Sequence, residues 1–348
     1  MLMEVAAEMD TGYTVGELSA LLPSEVDERQ IEEWLRAHPA LARFDGPVVR
    51  PAESLSPRSP ERVERGRRYR EAAIEFMAGP LRTISPWVRC VALTGSTAYG
   101  EPESGDDIDF LVVVRSGSVW VTLAFLYLAA RFGSRPMIGG QHPEFCFNYV
   151  VDERQALEEF ARPQGFLFAR EALSVRVLQG SEFYEGLLAH AAWMKSWVPR
   201  LYGSRASHRA PPLGRPAGWS VRLLNLAIYP LLSTYLQLIG LVRNRRFRTA
   251  GTAERSFAVR SQLGRLAFFS SRFDRLRRRY EADPGVAFPP GGPGPTPGGS
   301  RSNSPSRDGF SPVPTSETRA RPLGSGSPFR DGGSQPLPEA ARGTPPPA

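Results

Sequence analysis

The chain of 348 residues has few of the residues that build disulfide frameworks and zinc sites. Its two cysteines, Cys90 and Cys146, lie in apolar runs, and neither has the second cysteine of a C-x-x-C pair. The four histidines are not spaced as H-x-x-x-H, and none lies near a cysteine at the spacing of a zinc site: His38, His142, His190 and His208. These absences exclude a zinc cluster and a disulfide-stapled module, so we expect a reducing compartment, the cytoplasm.

Lysine is nearly absent, since Lys195 stands alone beside 42 arginines. Because this bias runs through the whole chain, a single arginine is not evidence of a phosphate site. The formal net charge is +7, but residues 1–60 hold eleven acids against five arginines, whereas residues 243–280 hold twelve arginines against two acids. A nucleic-acid surface along the whole chain is therefore not predicted.

Two segments of the sequence indicate whether the chain is secreted and whether it enters a membrane. The first ten residues, MLMEVAAEMD, lack the basic and apolar regions of a signal peptide, so we do not expect secretion. Residues 223–242 carry no charge and are long enough to span a bilayer. They include Asn225, Ser233 and Gln237, whose burial in lipid would be costly, so we expect a core helix and disfavour membrane association.

The patterns predict an α+β protein of three parts and a tail. Residues 1–60 hold two helices, the first opened by a capping-box pattern at Thr14 and Glu17 and the second opened by Ser24 with Asp27. A hairpin follows, and the three elements together resemble a winged-helix module. Its acidity argues against DNA binding. Residues 284–348 hold sixteen prolines and twelve glycines, a composition that predicts disorder.

The middle of the chain predicts a small mixed α/β domain at 61–155. A helix at 61–79 precedes three short apolar strands, at 88–94, 108–114 and 145–151, and a buried helix at 119–130 separates the last two. Residues 156–283 show no convincing strand pattern, so we expect a helical domain there.

The stretch LTGSTAYGEPESGDDIDFLVVV, residues 93–114, contains the candidate binding and catalytic residues. Gly95 and Ser96 stand in the turn after the first strand, where backbone N–H groups offer an anion site. Asp107 and Asp109 open the second strand, and side chains two apart in a strand point the same way. Two converging carboxylates repel each other unless a divalent cation lies between them, and Mg²⁺ favours one or two carboxylates plus substrate phosphates. A solvated acidic turn, or the D-x-D of nucleotide-sugar glycosyltransferases, would not require the Gly-Ser pair upstream.

Gly95-Ser96, Ala98, Gly100 and the Asp107-Ile108-Asp109-Phe110 run resemble the motif of nucleotidyltransferases of the DNA polymerase β superfamily. PEFCFNYVVD is similar to the third strand of bacterial and archaeal minimal-nucleotidyltransferase-like proteins. The resemblance implies that residues 61–155 form a nucleotidyltransferase domain. It implies transfer of a nucleoside monophosphate from an NTP to an acceptor hydroxyl, with two Mg²⁺ ions held by Asp107 and Asp109.

Active members of that family carry a third carboxylate on the neighbouring strand, where this sequence has Asn148. An amide cannot act as a general base, and Glu144 or Asp152 could substitute only if the strand were offset. The alternatives are therefore an enzyme, a catalytically silent nucleotide-binding protein and a regulatory interaction protein. The acceptor is left open among RNA, a protein and a small molecule.

Overall fold

A computed structural model of the chain describes residues 2–9, 11–22, 26–53, 60–100, 102–103, 105–133, 137–138, 140, 142–207, 209, 211, 213–251 and 256–281. These residues all belong to one compact unit, Met1–Gly292. The tail predicted at 284–348 lies outside the described residues. The unit is of mixed α+β class, and the boundaries of the three predicted parts stay a prediction.

The N-terminal part is a three-stranded antiparallel sheet with three helices. Its elements are α1 (Leu2–Met9), β1 (Tyr13–Thr14), α2 (Val15–Leu21), α3 (Glu28–Ala37), β2 (Ala42–Asp45) and β3 (Val48–Pro51). Thr14 and Asp27 each form a capping box with the residue three positions later. The two predicted helices and the hairpin β2–β3 are confirmed. Helix α3 is capped by Asp27, whereas Ser24, which was predicted to open it, lies outside the described residues. The likeness to a winged helix stays a prediction.

The central part contains the three predicted strands. Its elements are α4 (Pro60–Ile84), β4 (Val88–Thr94), α5 (Gly95–Tyr99), β5 (Ile108–Val114), α6 (Val119–Phe132) and β6 (Phe145–Asp152). The strands agree with the prediction to within one residue. Helix α4 runs through Pro80 to Ile84, further than predicted, because a proline removes one backbone hydrogen bond without ending every helix.

The C-terminal part corrects the prediction of a purely helical 156–283. Its elements are α7 (Glu153–Ala161), α8 (Phe166–Ser174), β7 (Arg176–Gln179), α9 (Ser181–His190), a 3-10 helix (Ala192–Ser196), α10 (Pro199–Arg205), α11 (Trp219–Thr249), β8 (Phe257–Gln262), β9 (Arg265–Ser270) and α12 (Ser271–Glu281). The strands were missed because β7 has four residues and β8 has no fully buried residue. Their partners, β4 and β6, lie far earlier in the chain.

The six-stranded sheet has the order β7-β4-β5-β6-β9-β8, with β5 and β6 parallel and the other pairs antiparallel. Its two faces carry separate apolar cores, as strand alternation requires. One face packs Cys90 and Val113 against α7, α8 and α9. The other packs Phe110 and Phe147 against α4 and α6. A sheet buried on both faces fixes the ends of β4 and β5 in place.

Helix α11 contains the apolar segment 223–242. It is long and apolar enough to cross a membrane by length and composition, yet only 22% of its most apolar window is buried. Asn225, Ser233, Leu236 and Gly240 are buried, whereas Leu231 is 74% exposed. The expectation of a core helix therefore holds for one face of α11 and is wrong for the other.

Candidate functional site

The topology explains why ten residues, 97–106, separate Ser96 from Asp107. Strands β4 and β5 are antiparallel neighbours, so the end of β4 and the start of β5 lie at the same edge of the sheet, with Thr94 opposite Asp109. Helix α5 begins at Gly95 directly after β4. Gly95, Ser96, Asp107 and Asp109 consequently line one cleft of about 530 Å³.

Gly95 is required by this geometry. Its φ is +61°, in the left-handed region that favours glycine. A Cβ atom at this position would lie 2.5 Å from Oδ2 of Asp109, closer than atoms can pack. The turn after β4 therefore brings its backbone directly against the second carboxylate.

The two aspartates converge as the alternation predicts. Ile108 and Phe110 are fully buried on the face of the sheet that packs against α4 and α6. Asp107 and Asp109 line the cleft. One oxygen of each carboxylate and the sulfur of Cys146 lie within 4.8 Å of one another. These three side chains form a possible metal-binding group, in which Cys146 was not predicted because only the pairing of β5 with β6 places it beside Asp109.

Asn148 lies on β6 next to this group. Its Nδ2 donates a hydrogen bond to Oδ1 of Asp109, and its Oδ1 accepts one from the Cys146 thiol at 2.8 Å. The amide therefore lies beside the aspartate pair and joins Asp109 to Cys146.

Burial and mutual repulsion make the group unfavourable as free anions. Burial, and then the charge of Asp107, raise the pKa of Asp109 well above its usual range, although Asn148 lowers it. Asp107 is more exposed than Asp109, and partial desolvation in the cleft, followed by the charge of Glu144, raises its pKa. Burial, and then Asp109, raise the pKa of the Cys146 thiol. A bound divalent cation would reverse this balance, because it favours the ionised carboxylates.

Three arginines supply the positive side of the cleft, and sequence analysis selected none of them. Arg62 comes from α4, Arg243 from α11 and Arg272 from α12. Arg243 lies 3.6 Å from Glu144, which lies just before β6. With arginine so frequent in this chain, only tertiary structure distinguishes these three from the others.

A buried polar cluster forms another part of the wall, and it too was missed. Glu171 accepts hydrogen bonds from Tyr99 at 2.8 Å and from Arg170 at 2.6 Å. The guanidinium of Arg170 is fully buried and lies 4.6 Å from the ring centroid of Tyr99. Tyr99 and Glu171 both line the cleft, so a carboxylate from α8 faces the same space as the aspartate pair.

The two substitutes considered for the third carboxylate lie at opposite ends of β6. Asp152 pairs with Val114 at the far end of β5 and caps α7 by accepting from the N–H groups of Arg154 and Gln155, both at 3.0 Å. Glu144 accepts a backbone hydrogen bond from Ile108. Asp152 therefore has a structural role away from the cleft, whereas Glu144 borders it.

Comparison of the chain with models of protein families, with curated proteins and with solved structures found no match. A function for this chain therefore has to be inferred from the geometry of the cleft.

Proposed function

We propose that the chain is a metal-dependent nucleotidyltransferase that transfers a nucleoside monophosphate from an NTP to an acceptor hydroxyl and releases pyrophosphate. The observation that carries the proposal is the Gly95 turn, which packs against Asp109 inside a cleft that also holds Asp107. An anion-binding turn and a cation-binding pair at one point are what a metal–triphosphate requires.

Each part of the cleft has a role in this proposal. Asp107 and Asp109 would hold Mg²⁺, which would neutralise charge on the triphosphate and the leaving pyrophosphate. Cys146 is a soft ligand that Mg²⁺ does not prefer, and we assign it no role in binding the metal. The backbone at Gly95 and Ser96 would bind phosphate oxygens, and Arg243 and Arg272, which line the same cleft, would add positive charge near them.

A catalytically silent nucleotide-binding protein is the second candidate, favoured by Asn148. Its amide donates to Asp109, and an amide cannot take a proton from an acceptor hydroxyl. The two candidates share the nucleotide site and differ in pyrophosphate release. A regulatory interaction protein would do neither.

The test is Mg²⁺-dependent binding and pyrophosphate release with each NTP, with RNA, cell protein and a small-molecule extract as acceptors. Asp107→Asn and Asp109→Asn should each lower transfer by at least about 10²-fold, because the metal loses a ligand. Asp152→Asn is the matched control, since asparagine caps a helix as well as aspartate does. Binding without release would favour the silent protein, and no binding would overturn both.

A further inference from the structure

Helix α11 is unusual because it uses polar side chains for contacts inside the protein and exposes apolar side chains to solvent. Its polar side chains are used inside the protein: Asn225 accepts from the backbone N–H of Trp120 at 2.7 Å, and Ser233 bonds to Ser261 at 2.8 Å. Asn244 both accepts from the backbone N–H of Phe257 and donates to its carbonyl. The inner face of α11 is thus attached by these polar contacts with α6 and β8 and by apolar side chains such as Leu236, which packs in the core.

The opposite face of α11, which we call the outer face, is apolar and exposed. Its large side chains follow at helical spacing and are each about half exposed or more: Leu223, Leu231, Tyr235, Leu238 and Val242. They extend for about 30 Å at 1.5 Å per residue. A helix on the surface of a protein in water normally shows the reverse arrangement, apolar inside and polar outside.

The charges on α11 have one sign. The helix contains no aspartate or glutamate, and Arg245, Arg246 and Arg248 follow the outer face at its C-terminal end. All three are exposed. Trp219, at the first position of the helix, is 76% exposed. Arginine and tryptophan around an apolar face are typical of helices that lie at a membrane surface.

We propose that the outer face of α11 binds the surface of a bilayer that contains anionic phospholipid, with its leucines at the acyl boundary and its arginines against the headgroups. The helix would lie on the bilayer and not cross it, because its inner face is held by α6 and β8. This proposal does not rest on nucleotide transfer.

A second copy of the chain is a poorer occupant of the outer face. A parallel pair of these helices would bring their arginine-rich C-terminal ends together, and an antiparallel pair would place that end beside Arg222 of the other copy. In neither pair does α11 offer an acidic residue to the arginines. Anionic headgroups supply the missing negative charge.

The experiment is sedimentation of the full chain with vesicles of phosphatidylcholine, with and without about 30% phosphatidylglycerol. We expect the protein to bind only the anionic vesicles. The double variant Leu231→Glu/Leu238→Glu should lose binding by at least about tenfold, and Arg245→Glu/Arg246→Glu by a similar factor, since each arginine contributes about 1 kcal/mol near such a surface.

Matched controls lie on α4. Ile74 is 56% exposed there, and Arg82 is exposed near the end of that helix. Ile74→Glu and Arg82→Glu therefore each make one substitution of the same kind away from α11. Both should bind as the unchanged protein does. Circular dichroism and thermal unfolding establish that each variant is folded, and the arginine variant tests the proposal even if the leucine variant does not fold.

Three results would overturn the proposal. The first is no binding of the unchanged protein to anionic vesicles, and the second is equal binding by the variants and their controls. The third is a dimer in size-exclusion chromatography that becomes a monomer in the leucine variant and does not bind vesicles, which would assign the outer face to a second copy.

Discussion

At the scale of single residues, the aspartate pair conflicts with stability unless something binds it. Asp109 is desolvated and faces Asp107, and the hydrogen bond from Asn148 offsets only part of that cost. Side chains kept in an unfavourable state commonly belong to functional sites. The pair is therefore expected to make the protein less stable without a cation and more stable with one.

Asp109→Asn tests this expectation. The folded protein holds the proton of Asp109 more tightly than the unfolded chain, so this group favours folding at low pH, and that contribution is lost as the pH rises through the raised pKa. Without metal, the variant should be more stable than the unchanged protein at pH 7, with a smaller difference at acid pH. With Mg²⁺ at about 100 times its Kd, the unchanged protein alone should gain about 2.7 kcal/mol.

Thermal unfolding at several pH values, with Mg²⁺ or with a chelator, measures both effects. A variant that is less stable than the unchanged protein at pH 7 without metal would contradict the expected cost of the aspartate pair.

Gly95→Ala tests the close approach of the turn to the carboxylate. A left-handed conformation costs a non-glycine residue roughly 1–2 kcal/mol, and the added Cβ would also displace Oδ2 of Asp109. We expect lower stability and weaker Mg²⁺ binding, measured by calorimetry. Gly203→Ala is the control, since Gly203 lies exposed within α10 with no atom near its Cβ position, and alanine there should stabilise the helix by up to about 1 kcal/mol.

At the scale of elements, one helix supports the start of another. Ser118 precedes α6 without a side-chain cap, and Oδ1 of Asn225 on α11 instead accepts from the backbone N–H of Trp120 in the first turn. Asn225 is 2% exposed, so this N–H has no ready access to water. The start of α6 therefore depends on a residue more than a hundred positions later in the chain.

Asn225→Ala removes this acceptor and should lower the free energy of unfolding by about 1–3 kcal/mol, the usual cost of an unsatisfied buried donor. Chemical denaturation gives the value. Thr234→Ala changes an exposed position of the same helix, and we expect an effect within about 0.5 kcal/mol. Equal effects of the two substitutions would show that the bond to Trp120 contributes little.

At the scale of the whole molecule, the hairpin of β8 and β9 completes the six-stranded sheet. Strand β9 pairs with β6 along Tyr149, Val150 and Val151, and β8 forms the edge beyond it. The indole N–H of the fully buried Trp120 donates to the carbonyls of Gln262 and Leu263 at the hairpin turn. Residues 257–270 are thus part of the domain that holds the cleft.

Two truncations test this view of the whole molecule. A chain that ends at residue 251 lacks β8, β9 and α12, so β6 loses its antiparallel partner β9 and becomes an edge strand. We expect no cooperative unfolding transition. A chain that ends at residue 283 keeps every described element. Its Tm should stay within about 2 °C of that of the full chain, which corresponds to a change of less than ~1 kcal/mol in the free energy of unfolding. A cooperative transition in the shorter chain would contradict the role given to the hairpin.

The sequence by itself determined the elements whose cause is local. Apolar runs bounded by turn residues predicted β4, β5 and β6, and the capping patterns at Thr14 and at Ser24 with Asp27 predicted α2 and α3. The spacing from Gly95 to Asp109 predicted that the two residues lie close together, because it covers the connection from the end of one strand to the start of its neighbour. Alternation along a strand and hydrogen bonding at a helix start act over a few residues, which a sequence displays directly.

Only the tertiary structure decided the features that join distant segments. It added β7, β8 and β9 to the sheet, brought Cys146 and Glu171 to the cleft, and placed Asp152 as a helix cap at the other end of β6. It also turned the polar side of α11 inward, where sequence alone predicted a buried helix. Such positions depend on which strands pair and which faces pack, and a short edge strand or a single carboxylate carries no local mark of its partner.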